Sequence, residues 1–356
     1  MTKIATVLGA RPQFIKAAPV SRALRSADGV REILIHTGQH FDPEMSDIFF
    51  KELDIPLPDY NLGISGGGHG AMTGAMLQKL EPLLQDIAPD WVLVYGDTNS
   101  TLAGALAAAK LHMPVAHVEA GLRSFNRSMP EEHNRVVADH LADILFTPTD
   151  TATENLRQEG IPESRIHQVG DVMFDALLYF SKRAEKHSMI LSKHDLNPGK
   201  YVLATVHRAE NTDDGSRLIV IMQGLDAVAK EMPVILPLHP RTRVALKRES
   251  IQPKNVKIIE PVGYLDMVAL EANAAVIATD SGGVQKEAYF HGVPCVTLRN
   301  ETEWVELVEL GWNRLAPPSG FIAAEILAVV GTQGKKASPY GTGNAAVAIR
   351  ETLTES

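Results

Sequence analysis

The sequence alternates short apolar segments with amphipathic ones, and this alternation restricts the fold more than any other feature. Short runs rich in branched apolar residues are typical of buried strands, and the segments between them have helical periodicity. Strands that alternate with helices form βαβ units with parallel sheets. Two series of such strands occur, at 4–8, 33–35, 91–95, 115–118 and 144–146, and at 202–205, 234–238, 256–259, 275–279 and 293–297. The sequence therefore predicts two doubly wound α/β domains.

The first domain is expected to end near Gly170, after a strand-like segment at 166–169. The chain has 356 residues, which is too many for one typical core and also favours two domains. We assign 1–170 to the first domain and 171–339 to the second, and a last helical pattern occupies 344–353. Ligands of open α/β sheets bind beyond the carboxyl ends of the strands. The loops after the strands, facing a cleft between the domains, are therefore expected to carry the function.

Net charge, apolar segments and cysteine content restrict the partners and the location of the protein. The net charge of −9 argues against a nucleic-acid partner, because such binding requires a basic surface. The first residues read as a strand instead of a signal peptide, and no segment is long and apolar enough for a membrane span. Cys295 is the single cysteine, which rules out an internal disulfide and favours a reducing, cytoplasmic setting.

The segment 275–287, AVIATDSGGVQKE, predicts a strand, a tight turn and the start of a helix. Free N–H groups at a helix N-terminus attract anions, and glycine lets a phosphate come close to the main chain. Ser281, Gly282 and Gly283 are therefore candidate phosphate contacts. Glu287, about two turns further on, is a candidate acceptor for ribose hydroxyls. An ordinary strand-to-helix loop is the alternative explanation.

Three segments of the first half carry acids at strand ends or helix starts. Asp97 follows a wholly apolar strand, where it suits a helix N-cap and a site residue equally well. Glu119 ends another apolar run, and its position favours function because an unpaired buried carboxylate is costly. Glu131 and Glu132 begin a helix after Pro130, where acids also complement the helix dipole. One member of that pair can be purely structural.

Cations follow strands in both halves. Arg11 and Lys16 come after the first strand and are candidate clamps for a phosphate or carboxylate, or else solvated cations. In the second half, His207 and the pair His239 and Arg241 follow neighbouring strands, which suggests a surface for a diphosphate. The sequence lacks GxGxxG after the first strand, and it lacks HExxH, paired CxxC, Walker A and GxSxG motifs. It therefore predicts neither a nicotinamide cofactor nor a metal.

In sequence order, the chain resembles the non-hydrolysing UDP-N-acetylglucosamine 2-epimerases over nearly its whole length. The matching motifs are GARPQFIK, HTGQH, YGDTNSTLAGALAA, HVEAGLRS, MPEEHNR, HRAENTD, PLHPRT and TDSGGVQKEA. The resemblance implies a GT-B architecture of two Rossmann-like domains, with a terminal helix at about 340–356 that returns to the first domain. It also implies a homodimer, a UDP-sugar as the partner, and no NAD or metal.

By this resemblance Asp97, Glu119 and Glu131 are the catalytic acids, and His207 joins them by stabilising charge on the leaving diphosphate. The implied reaction eliminates UDP as a C2 proton is lost, and UDP adds back to a 2-acetamidoglucal. We expect Asp97 and Glu131 to share the proton transfers while Glu119 positions the sugar or tunes them. The resemblance and its motifs make the remaining candidates substrate contacts: Arg11, Lys16, Arg135, His239, Arg241, Ser281, Gly282, Gly283 and Glu287.

The sequence departs from the bacterial members of that family. Trp304 of TEWVE stands where an arginine is expected, and 41–44 differs from the segment used for activation by substrate. These versions look closer to relatives that act on UDP-2,3-diacetamido-2,3-dideoxyglucuronate. Alternative activities are a hydrolysing 2-epimerase, a retaining GT-B glycosyltransferase, whose acid-x6-Glu spacing matches Asp280 and Glu287, and a non-enzymatic nucleotide-sugar sensor. Three acids favour an enzyme, because a pure binder of an anion gains nothing from them.

Overall fold

The computed structural model describes residues 1–39 and 55–355, and for Arg11 it describes the backbone only. The segment 41–44 lies outside the described residues. The chain forms two compact units, one of Met1–Leu178 with Ser338–Ser356 and the other of Tyr179–Ala337.

The first unit is built on a seven-stranded sheet in which every pairing is parallel. Its strands, in the spatial order β3-β2-β1-β4-β5-β6-β7, are β1 (Thr2–Leu8), β2 (Val30–His36), β3 (Tyr60–Asn61), β4 (Trp91–Tyr95), β5 (Val115–Val118), β6 (Ile144–Thr147) and β7 (Ile166–Gln168). The helices that follow these strands are α1 (Arg11–Arg25), α2 (His69–Ile87), α3 (Asn99–Lys110), α4 (Pro130–Leu141), α5 (Asp150–Gln158) and α6 (Val172–His187). The central strands are mostly apolar because both faces of the sheet are buried.

The second unit has a six-stranded parallel sheet in the order β10-β9-β8-β11-β12-β13. Its strands are β8 (Val202–Thr205), β9 (Val234–Pro237), β10 (Lys257–Ile259), β11 (Val276–Thr279), β12 (Cys295–Thr297) and β13 (Asn313–Leu315). Its helices are α7 (Ile190–Lys193), α8 (Ala209–Thr212), α9 (Gly215–Val228), α10 (Pro240–Arg248), α11 (Tyr264–Ala272), α12 (Gly282–His291), α13 (Val305–Glu309) and α14 (Ile322–Ala328). Branched side chains from β8, β9 and β11 form its core with α9.

Each sheet reverses its strand order at one point, between β1 and β4 in the first unit and between β8 and β11 in the second. Right-handed crossovers then place the helices of the two halves of a sheet on opposite faces. The loops that leave the two central strands diverge, and ligands bind at this switch point. The predicted α/β class with two doubly wound units is confirmed, and the two switch points are where sheets of this kind bind ligands.

The division between the units falls inside α6, between Leu178 and Tyr179, eight residues after Gly170. The reason is that α6 runs without a break across the boundary. The last helix, α15 (Ala345–Glu355), belongs to the first unit and packs against α1. Asp175 of α6 accepts the N–H groups of Ala345 at 3.3 Å and Ala346 at 2.8 Å, and so caps α15.

Candidate active site

At the switch point of the first unit, the side chain of Gln13 joins the loops after β1 and β4. Its Oε1 accepts the Gly9 N–H at 2.8 Å, and its Nε2 donates to the Tyr95 carbonyl at 2.9 Å. A Cβ on Gly9 would lie 2.1 Å from the Ser100 hydroxyl oxygen, so no larger residue fits there. The backbone that leads to Arg11 is therefore fixed against the β4 loop.

Asp97 follows β4, and its carboxylate contacts Nη2 of Arg135. The Asp97 carbonyl accepts Nδ2 of Asn134 at 2.9 Å, so two neighbouring residues of α4 hold the loop. Burial acts to lower the pKa of Arg135, but the carboxylates of Asp97, Glu132 and Glu119 raise it overall, so this side chain remains a cation. The Asp97 side chain is 31% exposed, which leaves it accessible to a ligand.

Glu119 follows β5 with a left-handed φ of 70°. This conformation costs a residue with a Cβ roughly 1 kcal/mol or more, and such outliers are concentrated at functional sites. The Glu119 carboxylate is buried and contacts Nζ of Lys16 on α1. A Cβ on Gly96 would lie 3.1 Å from that Nζ and 3.3 Å from Oε2 of Glu119, so the glycine makes room for the pair. The predicted cation Lys16 is thus the partner of a predicted acid.

The two acids that begin α4 have different environments. Glu132 is buried and accepts the backbone N–H groups of Ser124 and Phe125, each at 2.9 Å, and it pairs with Arg135 at 3.2 Å. Burial acts to raise the pKa of Glu132, but these donors lower it overall. Glu131, in contrast, is exposed. Glu132 is therefore the structural member of the pair, and Glu131 is the member that a ligand can reach.

His117 of β5 and Asp139 of α4 form a buried pair that was not predicted from the sequence. Nδ1 of His117 lies 2.7 Å from Oδ1 of Asp139, and its Nε2 lies 2.7 Å from the Gly96 carbonyl oxygen. The second oxygen of Asp139 accepts Nη1 of Arg123 at 2.6 Å and the N–H of Gly121 at 3.1 Å. The available signal was a histidine inside an apolar strand and an aspartate on the buried face of a helix.

At the switch point of the second unit, Asp280 joins the loops after β8 and β11. Its fully buried carboxylate accepts the N–H groups of His207 and Arg208, each at 3.0 Å, and Nδ2 of Asn211 at 3.1 Å. These donors come from within the same unit, so Asp280 shapes the loop that carries His207. The sequence placed Asp280 in the turn and in an acid-x6-Glu spacing with Glu287, but these hydrogen bonds were not predicted because the partners are distant in sequence.

The predicted cations of the second unit differ in their surroundings. The rings of His207 and His239 lie 5.2 Å apart between centroids, and His239 is exposed. Burial lowers the pKa of His207, and the neighbouring arginines add to this against the opposing effect of Asp280, so the ring is neutral at pH 7. Arg241 donates Nη2 to both carboxylate oxygens of Asp213, at 2.8 and 2.9 Å, and is therefore already paired.

The turn Ser281-Gly282-Gly283 begins α12, with Ser281 as the N-cap, and the Ser281 side chain makes no capping hydrogen bond. A Cβ on Gly282 would lie 2.3 Å from Oε1 of Glu303, so the loop after β12 passes close to the turn. Glu303 pairs with Arg299 at 2.9 Å and with Arg208 at 3.7 Å. Burial acts to raise the pKa of Glu303, but the two arginines lower it overall. These three charged residues were not predicted.

Glu287 is buried on α12 and accepts the Tyr264 hydroxyl at 3.2 Å. Near it, burial raises the pKa of Glu271 well above its usual range, and the Glu287 charge adds to this. Trp304, which stands where relatives are expected to have an arginine, is buried with Nζ of Lys286 4.1 Å from its ring centroid. This geometry is a cation–π contact, in which the buried Trp304 ring stabilises the buried Lys286 ammonium.

Two features are absent from the described part of the chain. Across 1–39 and 55–355, no three or more His, Cys, Asp or Glu side chains are grouped so that they would hold a metal ion. Within the same ranges, no helix combines the length and the apolar character needed to cross a membrane.

A family model described as UDP-N-acetylglucosamine 2-epimerase matches residues 22–354. The chain belongs to this family. A UDP-N-acetylglucosamine 2-epimerase homolog of Methanococcus maripaludis is 54% identical over 99% of both chains. The UDP-2,3-diacetamido-2,3-dideoxy-D-glucuronate 2-epimerase of Pseudomonas aeruginosa is also 54% identical, over 88% of both chains. The crystal structure of Methanocaldococcus jannaschii UDP-GlcNAc 2-epimerase in complex with UDP-GlcNAc and UDP has a TM-score of 0.92 and 44% identity, with all of both chains covered.

In this member of the 2-epimerase family, the predicted site residues form two groups, each at the switch point of its own unit. The first contains the acids with their cations, and the second contains the histidines and the glycine turn. The first unit contributes Lys16, Asp97, Glu119, Glu131 and Arg135, and the second contributes His207, His239, Arg241, Ser281, Gly282, Gly283 and Glu287.

Proposed function

We propose that this protein is a non-hydrolysing C2 epimerase of a UDP-2-acetamido sugar. Its substrate is UDP-N-acetylglucosamine or UDP-2,3-diacetamido-2,3-dideoxyglucuronate, and the product is the corresponding manno epimer, a precursor for polysaccharide synthesis. The observation that carries the proposal is the pairing of Asp97 with Arg135 and of Glu119 with Lys16 at one switch point, in a chain of the 2-epimerase family.

The reaction proceeds by elimination because C2 of such a sugar is not adjacent to a carbonyl group and its proton is not acidic. A base removes the C2 proton while the C1–O bond breaks, and UDP leaves with the bonding electron pair. The product of this step is a 2-acetamidoglucal. Protonation of C2 from the opposite face and addition of UDP to C1 then complete the epimerisation. The C–H and C–O bonds break and re-form with proton transfers only, and no hydride leaves the sugar, so the proposed route contains no step for NAD.

The environments of the acids support a division of roles. Glu131 is exposed and Asp97 is partly exposed, so both are accessible for proton transfer. Glu119 is buried against Lys16, which suits a residue that positions the sugar. We assign proton removal and proton delivery to Asp97 and Glu131 as a pair. Arg135 holds Asp97 in place.

The leaving diphosphate is assigned to the second unit. The uncapped first turn of α12, at Ser281-Gly282-Gly283, presents backbone N–H groups that can bind phosphate oxygens. His207 and His239 lie beside the neighbouring strand ends, and Arg11 is assigned to the same diphosphate. Glu287 is assigned to the ribose hydroxyls. Arg241 is paired with Asp213 and contributes to the diphosphate only if that pair opens.

Product analysis with two substrates tests the proposal. The purified protein is incubated separately with UDP-N-acetylglucosamine and with UDP-2,3-diacetamido-2,3-dideoxyglucuronate, and the products are separated by anion-exchange chromatography. We expect one of the two to give an epimer that is still attached to UDP. Release of UDP with free N-acetylmannosamine would indicate a hydrolysing enzyme, and sugar transfer that needs an acceptor would indicate a glycosyltransferase. Binding without turnover of either substrate would indicate a sensor.

The assembly and location follow the same proposal. A homodimer is expected from the family resemblance, and sedimentation equilibrium would then give twice the chain mass of 38.7 kDa. We also assign the protein to the cytoplasm, since its one cysteine, Cys295, is a buried free thiol and UDP-sugars are used there. A monomeric mass would contradict the first expectation.

A further inference from the structure

Both ring nitrogens of His117 face atoms that accept hydrogen bonds. Nε2 lies 2.7 Å from the Gly96 carbonyl oxygen, which can only accept, and Nδ1 lies 2.7 Å from Oδ1 of Asp139. The other oxygen of Asp139 accepts Arg123 and the Gly121 N–H, at 2.6 and 3.1 Å, and this favours the carboxylate. His117 is fully buried between a carbonyl and a carboxylate. Hydrogen bonds to both partners at once require a proton on each ring nitrogen, which is the imidazolium form.

Opposite charges surround this imidazolium in a continuous network. Asp139 lies between His117 and Arg123, and burial acts to raise the pKa of Asp139 while these two cations lower it overall. Arg123 also binds Glu159 through Nε and Nη2, at 2.6 and 2.7 Å. His140 reaches Glu159 from the surface at 3.2 Å. The cations His117 and Arg123 therefore balance the anions Asp139 and Glu159. The charge of His117 is compensated.

The same pair supports the two loops that carry the acids. The Gly96 carbonyl held by His117 belongs to the peptide that leads into Asp97, and the Gly121 N–H held by Asp139 lies two residues after Glu119. Gly96, Glu119 and Gly121 have φ values of 60°, 70° and 80°. Backbone in this region persists when surrounding contacts hold it.

We infer that His117, as an imidazolium paired with Asp139, is a positioning residue that sets the directions of Asp97 and Glu119 for proton transfer. The inference rests on the proposed function of those two acids. The charge of His117 is independent of that function and can be measured separately.

Long-range 1H–15N spectra of the full-length protein labelled with 15N-histidine measure the charge directly. We expect both nitrogens of His117 to carry a proton at pH 7, because each faces a hydrogen-bond acceptor. The signal is assigned by its loss in His117→Gln. In Asp139→Asn, the amide can donate to Nδ1 and still accept Arg123, so His117 should become neutral. A neutral His117 in the wild-type protein at pH 7 would overturn the inference.

Kinetics then test the positioning. We expect His117→Leu, which removes both donors, to lower kcat for C2 proton exchange by about 10²-fold with KM nearly unchanged, since small misplacements of reacting groups cost about this much. His117→Gln keeps a donor for the Gly96 carbonyl and should recover at least about tenfold of that loss. His140→Gln is the matched control and should keep the wild-type rate.

An unchanged kcat in His117→Leu, or a rise in KM alone, would contradict the positioning role. If His117→Leu does not fold, kcat for C2 exchange is compared between His117→Gln and Asp139→Asn instead. Both variants retain hydrogen-bonding groups, so this comparison then tests the positioning role. Absence of exchange in the wild-type protein would instead count against the proposed function, and the 15N spectra would still report the charge of His117.

Discussion

The most direct residue-scale prediction concerns Asp97. Asp97→Asn keeps the shape of the side chain but removes its charge, and an amide cannot take the C2 proton. We expect this variant to abolish deuterium incorporation at C2, measured by proton NMR. UDP affinity measured by calorimetry should stay nearly unchanged, because the diphosphate contacts other than Arg11 are assigned to the other unit. Full exchange in the variant would remove Asp97 from the mechanism.

Glu131 and Glu132 form a matched pair for a second prediction. Glu132→Gln places an amide against the N–H groups of Ser124 and Phe125, which should cost about 1–3 kcal/mol of unfolding free energy. Glu131→Gln changes an exposed side chain, so its stability should stay within about 0.5 kcal/mol of wild type while C2 exchange falls. Urea unfolding and the exchange assay compare the two variants. The opposite pattern would show that the structural and reactive roles are reversed.

At the residue scale, the sequence predicts which loops carry polar groups but not how those groups pair. Asp97 and Glu119 stand at strand ends as their apolar runs suggested. Glu131 and Glu132 share one local pattern, and only the distant Ser124 turn distinguishes them. The His117–Asp139 pair joins residues 22 positions apart, and no local periodicity reports such a contact.

At the scale of elements, periodicity located the long strands and helices because burial on both faces of a parallel sheet leaves continuous apolar runs. The strands Tyr60–Asn61 and Asn313–Leu315 were not predicted, since two or three residues are too few to form a pattern. The predicted boundary near Gly170 lies just before α6, whereas the division by contacts falls inside this helix, between Leu178 and Tyr179. A helix that contributes to both units leaves no local signal in the sequence for where one unit ends.

The cap of α15 gives a prediction about pH at the element scale. Burial, with Asp171 adding to it, raises the pKa of Asp175 to about 6 against the opposing effect of the two N–H groups it accepts. Between its unfolded pKa of about 4 and its folded value, the folded protein binds more protons, so this group's contribution to stability falls as pH rises through that range. The full shift corresponds to about 3 kcal/mol, of which about 2 kcal/mol is lost between about pH 4 and about pH 7.

Asp175→Asn cannot titrate, so it isolates this contribution. The difference in unfolding free energy, variant minus wild type, should increase by about 2 kcal/mol from about pH 4 to about pH 7. Urea unfolding at the two pH values measures this difference, and other titrating groups cancel in the comparison. A constant difference would mean that Asp175 has an ordinary pKa in the folded protein.

For the whole molecule, the alternation of strands and helices was sufficient to predict two doubly wound units, because few other topologies satisfy it. The reaction was not predictable from that architecture, since one fold supports many activities. The ordered set of strand-end motifs indicated the family, and the model of that family matches residues 22–354. The sugar was not predictable either, because the sequence departs from the expected family pattern at Trp304.

The central claim is that UDP leaves and returns while C2 exchanges its proton. Proton NMR of the protein with the UDP-sugar that it accepts, in deuterated water, tests this most directly. We predict that the epimer forms with deuterium at C2 and with the sugar still attached to UDP. An epimer that retains its original C2 proton, or a sugar released from UDP, would contradict the mechanism.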